Sequence, residues 1–185
     1  MGFIVREMDK DAMRAIGAVN REETIEANYI AQPAYDGWGL VLRRTRCNPP
    51  VQASRWDEDD LDERIGWWLP ELEKGGALIG AFDGERLVGF VVSGHKRGDE
   101  SAELSAIFVD KDYRGKGAGS ALMRAAEENA IRRGVRAMYI MSVPTAATVD
   151  FYVKQGYRII SVIDKSIVGS FPWDVVLAKR LSSGA

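Results

Sequence analysis

The sequence predicts an α/β domain in which helices flank a mainly antiparallel sheet, and three observations predict it. Between Ala77 and Val109 three strand-like runs, Ala77 to Phe82, Arg86 to Ser93 and Ser101 to Val109, are joined only by Asp83-Gly84 and a turn at Arg97-Gly98-Asp99. Links this short permit antiparallel neighbours and nothing else. Elsewhere apolar residues recur at helical spacing, as in Leu61, Ile65, Trp68 and Leu72, and again in Leu122, Ala126 and Ala130 with Met123. Beyond Gly134 strand and helix patterns alternate to the end of the chain.

Each element has its own signal. Phe3 to Arg6 alternates as a strand, and Asp9 stands where an N-cap would open a helix through Met13, Ile16 and Val19. From Tyr29 to Pro50 the pattern weakens, with a candidate strand from Leu40 to Arg46 among turn signals at Gln32-Pro33, Asp36-Gly37 and Asn48-Pro49-Pro50. Trp56-Asp57 followed by Glu58, Asp59 and Asp60 reads as the acid-rich first turn of a helix, complicated near its end by Pro70. After the three strands come a Gly-rich loop from Arg114 to Gly119 and a helix from about Ser120 to Arg133, stopped by Gly134. Ala137 to Met141 is a strand, Thr145 to Gln155 a helix closed by Gly156, and Tyr157 to Ile163 a strand beside which Val175 to Leu181 returns.

Composition narrows the function. With 185 residues, 46% hydrophobic and 28% charged, the chain reads as one domain spanning 1–185, able to bury about two thirds of its unfolded surface. A net charge of −2 disfavours nucleic acid as partner, because phosphate binding needs a strong basic field. The single Cys47 and single His95 cannot build a Cys/His zinc site, so no metal is expected. Charge appears after three apolar residues at the start, and no apolar run reaches the roughly 18 residues that span a membrane, so the expected location is cytoplasmic.

The informative stretch is Val109-Asp110-Lys111-Asp112-Tyr113-Arg114-Gly115-Lys116-Gly117-Ala118-Gly119-Ser120. Glycines let backbone N–H groups approach a ligand closely, and a helix N-terminus adds unpaired donors and partial positive charge. Together they form a cradle for a pyrophosphate, to which Arg114 and Lys116 can add charge. The G-x-x-x-x-G-K-[ST] pattern fails, since Gly117 follows Lys116, and G-x-G-x-x-G fails because Ser120 and Leu122 stand where its third glycine belongs.

What fits is R-x-x-G-x-G/A, read at Arg114, Gly117 and Gly119. With the apolar strand Leu104 to Val109 ahead of it, and Phe151-Tyr152 before Gly156-Tyr157, the sequence resembles the GNAT superfamily of acyl-CoA-dependent N-acetyltransferases, most clearly from Gly76 to Gln155. The resemblance implies a mixed sheet that splays where the CoA arm enters, with acetyl-CoA as cosubstrate. It implies that backbone groups of Ile107, Phe108 and Val109 pair with the pantetheine, and that Arg114, Gly115, Lys116, Gly117, Ala118, Gly119 and Ser120 hold the pyrophosphate. Tyr152 stands where the family often has the tyrosine that protonates the departing sulfur. The family's helix before that tyrosine commonly begins with Asn; here Pro144-Thr145 takes its place, leaving Thr145 as the N-cap and contact to the arm.

Acetyl transfer requires a neutral amine, whereas an alkyl ammonium has a pKa of about 10.4, so a base is needed. Glu103 is the first candidate, on the strand where the family often carries one, with Glu100 second; N–H groups near Ile107 to Val109 are candidate oxyanion donors. His95, beside Lys96 and Arg97, reads as a surface histidine, with a proton-relay role as the alternative, and Cys47 as an incidental thiol in a Pro-flanked loop. The run Asp57 to Glu63 is explained by the helix dipole, and an acidic rim for a polycationic amine is the other reading. The expected acceptor is the primary amine of a small cationic molecule. A protein N-terminus or lysine, and a CoA-binding regulatory domain without turnover, are the alternatives. The acceptor pocket is expected within Thr24 to Trp68 and the hairpin around Ser166 to Trp173, and homodimers are common in the family.

Overall fold

The computed structural model describes residues 2–35, 38–164 and 173–182. In chain order the elements are β1 (Ile4–Met8), a 3-10 segment (Lys10–Ala18), β2 (Glu23–Pro33), β3 (Leu40–Ala53), α1 (Glu58–Glu73), β4 (Ala77–Asp83), β5 (Arg86–Ser93), β6 (Ser101–Val109), a 3-10 turn (Lys111–Tyr113), α2 (Ala118–Arg132), β7 (Ala137–Ser142), α3 (Ala146–Lys154), β8 (Arg158–Asp164) and β9 (Trp173–Arg180). Seven strands are hydrogen-bonded in the order β1-β4-β5-β6-β7-β9-β8. The sheet is mixed, as the sequence predicts: β6 and β7 run parallel, while β1–β4, β4–β5, β5–β6 and β8–β9 are antiparallel. The chain divides into two compact units, Met1–Glu22 with Ser54–Tyr139 and Lys179–Ala185, and Glu23–Ala53 with Ile140–Ala178.

In the first unit the central strands are apolar on both faces because both are covered. Phe90 and Val92 of β5 join Trp68, Met13, Ile16, Val19, Leu78 and Ala106 in a core beneath α1 and the 3-10 segment. Next to Phe90 on the strand, Gly89 faces the other way, where a Cβ would come within 3.1 Å of Leu122 on α2. The helix expected after Asp9 is 3-10 rather than α, although Asp9 caps it as anticipated, accepting from the Asp11 N–H at 2.8 Å. Asp57 likewise caps α1 by accepting from the Asp60 N–H. Helix α1 runs through Pro70 to Glu73; Pro70 and Gly66, to whose carbonyl a proline cannot donate, are both exposed, so solvent can take the place of the missing donor. Helix α2 begins at Ala118, two residues earlier than the expected Ser120.

The second unit holds the part of the chain least legible in sequence. β2 and β3 pair from Glu23↔Ala53 to Pro33↔Leu40 as a two-stranded ribbon, so the predicted strand Leu40 to Arg46 is only half of β3. Pro49 and Pro50 are tolerated within β3 because they fall at the register shift between Ile25 and Ala27, where no ladder donor is required. Cys47 accordingly sits in a strand, half-buried, rather than in a loop. Helix α3 packs against the ribbon: the Tyr29 hydroxyl donates to Asp150 at 2.8 Å and the Tyr29 N–H to the Pro144 carbonyl at 2.7 Å. The indole of Trp173 donates to the Tyr29 carbonyl at 3.1 Å. Of the stretch Ser166 to Trp173, only Trp173 is among the described residues.

Candidate active site

The Gly-rich loop is anchored by what precedes it. The Asp110 side chain, fully buried, accepts from the Asn20 N–H at 3.2 Å, the Asp112 N–H at 3.1 Å and Arg86 at 3.1 Å. Burial alone would raise its pKa, but these donors outweigh it and hold the carboxyl below the usual range. Arg114, assigned to the pyrophosphate by resemblance, turns its guanidinium onto three carbonyls: Val109 at 3.1 Å, Glu22 at 3.0 Å and Arg21 at 3.0 Å. That side chain therefore ties the loop to the end of β6 and to the segment at Arg21 and Glu22.

Beyond it the loop has the shape an anion requires. Gly115 (φ 72°) and Gly117 (φ 92°) are left-handed, and no heavy atom lies within 4 Å of where a Cβ would stand on either. Gly117 is the N-cap of α2 and has no side chain with which to cap it. The N-terminal N–H groups of a helix of 15 residues thus open onto unobstructed backbone, a donor set that fits the pyrophosphate of acetyl-CoA. Lys116 is exposed, its ammonium 5.1 Å above the ring of Tyr113.

Strand β6 leads into this loop. It pairs with β5 as far as Gly89↔Val109, with Phe90↔Phe108 and Val91↔Ile107. Its parallel register with β7 covers only Ser101↔Ala137 to Glu103↔Tyr139. Phe108 is backed by an aromatic cluster, its ring centroid 4.9 Å from Trp56, 5.5 Å from Phe90 and 6.4 Å from Trp68. Trp68 is core, as its place on the helical stripe predicts, while Trp67 and Trp38 are 55% and 85% exposed.

Glu103, at the end of the β6–β7 pairing, is largely buried, and burial raises its pKa above the usual carboxylate value despite Arg97 3.5 Å away. His95 is not the surface residue expected. Its Nδ1 lies 2.7 Å from Glu71 Oε2, which also accepts the His95 backbone N–H at 3.2 Å. Burial opposes ionisation of Glu71, but these bonds prevail and lower its pKa. No sequence signal marked Glu71: it follows Pro70 in a helix read for its apolar stripe, 24 residues from its partner. The acidic run of α1 is largely used locally, Asp60 pairing with Arg21 and Arg64, and Asp62 with Arg14 at 2.7 Å.

In the second unit Tyr152 is buried, its ring 5.4 Å from Phe151 and 6.2 Å from Tyr157, and burial pushes its hydroxyl well above the usual tyrosine value. It keeps its proton across the physiological range. Thr145 is the N-cap of α3 by position, but its hydroxyl bonds the Thr148 hydroxyl at 2.8 Å instead of a backbone N–H. Beside it lies a cavity of about 380 Å³ lined by Glu23, Glu26, Arg44, Arg46 and Ala147 among others. Among the described residues no group of three or more His, Cys, Asp or Glu side chains could hold a metal ion, and no helix is long and apolar enough to cross a membrane.

Comparison with known proteins bears on the family and the fold. The model of the acetyltransferase (GNAT) family matches residues 41–157, and the chain belongs to that family. It is 34% identical over 99 residues to an uncharacterised N-acetyltransferase of Methanocaldococcus jannaschii. That match covers 49% of this chain and 42% of the relative, so the chain spans less than half of the relative's length. Among solved structures, nourseothricin acetyltransferase superposes with a TM-score of 0.77 at 20% identity, over 98% of this chain and 100% of that one. A putative streptothricin acetyltransferase from Bacillus anthracis, in complex with acetyl coenzyme A, gives 0.75 at 16% identity, over 97% and 99%. At these identities the likeness establishes the fold.

Proposed function

We propose that residues 1–185 act as one catalytic domain that transfers the acetyl group of acetyl-CoA to a primary amine of a small cationic acceptor, by direct attack. The observation that carries the cosubstrate is the uncapped N-terminus of α2 behind two left-handed glycines. The small-molecule acceptor is supported by the fold shared over nearly the whole chain with the nourseothricin and streptothricin enzymes. Acetyl-CoA supplies an activated acyl group on a thiol leaving group; the chain supplies placement and proton transfer.

In this reading the backbone of Gly115 to Ser120 holds the pyrophosphate, with Lys116 adding charge from the rim and Arg114 holding the loop in shape. Ile107, Phe108 and Val109 offer main-chain partners to the arm, and Thr145 meets it from α3. Glu103 takes the proton of the incoming ammonium. Its raised pKa suits the task, because a base works best when its own pKa approaches the working pH. Tyr152, kept neutral by burial, gives its proton to the departing sulfur.

Calorimetric titration tests the first half: acetyl-CoA should saturate while ATP and NADH do not, and failure of a folded sample to bind acetyl-CoA overturns the assignment. Thiol release over a panel of polyamines, streptothricin-type antibiotics and peptides then selects the acceptor class. Glu103→Gln should lower kcat/KM about 10²–10⁴-fold. In the wild type kcat/KM should rise with pH through a carboxylate titration set above the ordinary range and then level, a limb the variant lacks. Tyr152→Phe should bind acetyl-CoA normally and lose kcat; an unchanged kcat removes its role.

A further inference from the structure

We propose that His95, held by Glu71, is the proton outlet of the site, a positioning and relay pair that receives the proton taken by Glu103 and passes it to solvent. The inference rests on Glu103 as base and extends it to two residues on other elements. Three observations carry it.

The first is close packing over one bare backbone position. A Cβ on Gly94 would lie 2.7 Å from Glu71 Oε2 and 3.6 Å from Glu103 Cβ, so the α1 carboxylate and the β6 glutamate share the space this glycine leaves open. The Gly94 N–H donates to the Glu103 carbonyl at 2.7 Å, which sets His95 immediately beyond Glu103's neighbour on the adjacent chain segment.

The second is the Glu71–His95 bond of 2.7 Å, reinforced by the backbone bond to the same oxygen. A charged carboxylate only accepts, so Nδ1 carries the hydrogen of this bond. Both side chains retain partial exposure, 22% for His95 and 18% for Glu71, which connects the pair to water.

The third is the electrostatic setting. Arg97 reaches Glu103 at 3.5 Å, and its Nε is buried without a hydrogen-bond partner. Lys96 lies 3.9 Å from Glu100, Tyr139 of β7 sits beneath Arg97, and Arg133 of α2 binds the Gly94 carbonyl at 2.9 Å. Cations thus flank the turn while the carboxylates line its interior.

The proton balance requires an outlet. An ammonium acceptor enters with two protons that must leave nitrogen; one goes with the thiol, and the other, held by Glu103, must reach solvent before the next turnover. It passes from the Glu103 carboxyl to His95 Nε2, directly or across one water, and from the ring to bulk water or buffer.

His95→Gln and Glu71→Gln, assayed in dilute non-imidazole buffer, should each lower kcat by about tenfold. KM for acetyl-CoA should stay unchanged, and kcat should recover on adding imidazole. His95 is the chain's only histidine, so the ¹⁵N spectrum of the wild type reads its tautomer without any variant. A hydrogen on Nδ1 is expected at neutral pH; a hydrogen on Nε2 alone overturns the proposal, as does wild-type kcat at every pH for His95→Gln. Glu103→Gln separates the two readings. Full activity of that variant removes the base and the outlet with it, whereas its inactivity beside an unaffected His95→Gln removes the outlet alone.

Discussion

Arg114 stands in the motif position that sequence assigns to phosphate, yet its guanidinium donates to the carbonyls of Val109, Glu22 and Arg21. A lysine would keep the charge and lose the fork that reaches them. We expect Arg114→Lys to weaken acetyl-CoA binding about tenfold, with Tm lowered as well, because the cradle's backbone is no longer held; equal affinity by calorimetry would return the residue to direct charge contact. Gly117→Ala meets open space but an unfavourable φ, and should cost about 1–3 kcal/mol. The left-handed glycines of the loop and the place of Tyr152 on a helix are local signals and legible in sequence. Glu71 and His95 were not, since their meeting depends on α1 lying against the end of β5, which no spacing encodes.

Among the elements, those with a single strong period came out of the sequence nearly intact. The three strands from Ala77 to Val109 differ from expectation only at their ends, and the Leu61-Ile65-Trp68-Leu72 stripe faces the core. The ribbon β2–β3 was hidden because half-exposed strands need no continuous apolar face, and because its proline pair imitates a loop. The 3-10 segment after Asp9 shows the converse: cap and apolar positions fix which residues are buried, but not the hydrogen-bond period. Trp68 carries the packing of α1 on the sheet, 6.0 Å from Phe90 and 6.3 Å from Trp56. Trp68→Ala should cost about 3–5 kcal/mol through the cavity it leaves. For a chain of this size that is a Tm lower by about 6–20 °C in a thermal melt; a smaller fall would mean that α1 closes the gap.

For the whole molecule, ionisation sets the range of pH over which the fold is stable. Asp110 and Glu71 have native pKa values below those of the unfolded chain. Their contribution is complete above the ordinary carboxylate range, about pH 4–5, and is lost as pH falls through their lowered native values. Glu103 is raised and works in the opposite direction, its protonation favouring the folded chain as pH drops. Tyr152, raised by burial, contributes fully below the ordinary tyrosine value and loses that contribution as pH rises above it. Urea midpoints should therefore fall below about pH 4, from a plateau that dips slightly as pH rises through the Glu103 titration. Asp110→Asn should be destabilised on the plateau and show a shallower acid fall; an unchanged acid fall would place the sensitivity elsewhere.

The aromatic cluster behind β6 has an optical consequence. Phe108, whose main chain faces the cosubstrate in the proposed reading, touches Trp56, and Trp56 touches Trp68. A ligand that displaces this strand by a fraction of an ångström alters the surroundings of two indoles at once. The native chain then carries its own unlabelled reporter, and stopped-flow emission at tryptophan wavelengths would time the arrival of acetyl-CoA separately from the chemistry that follows.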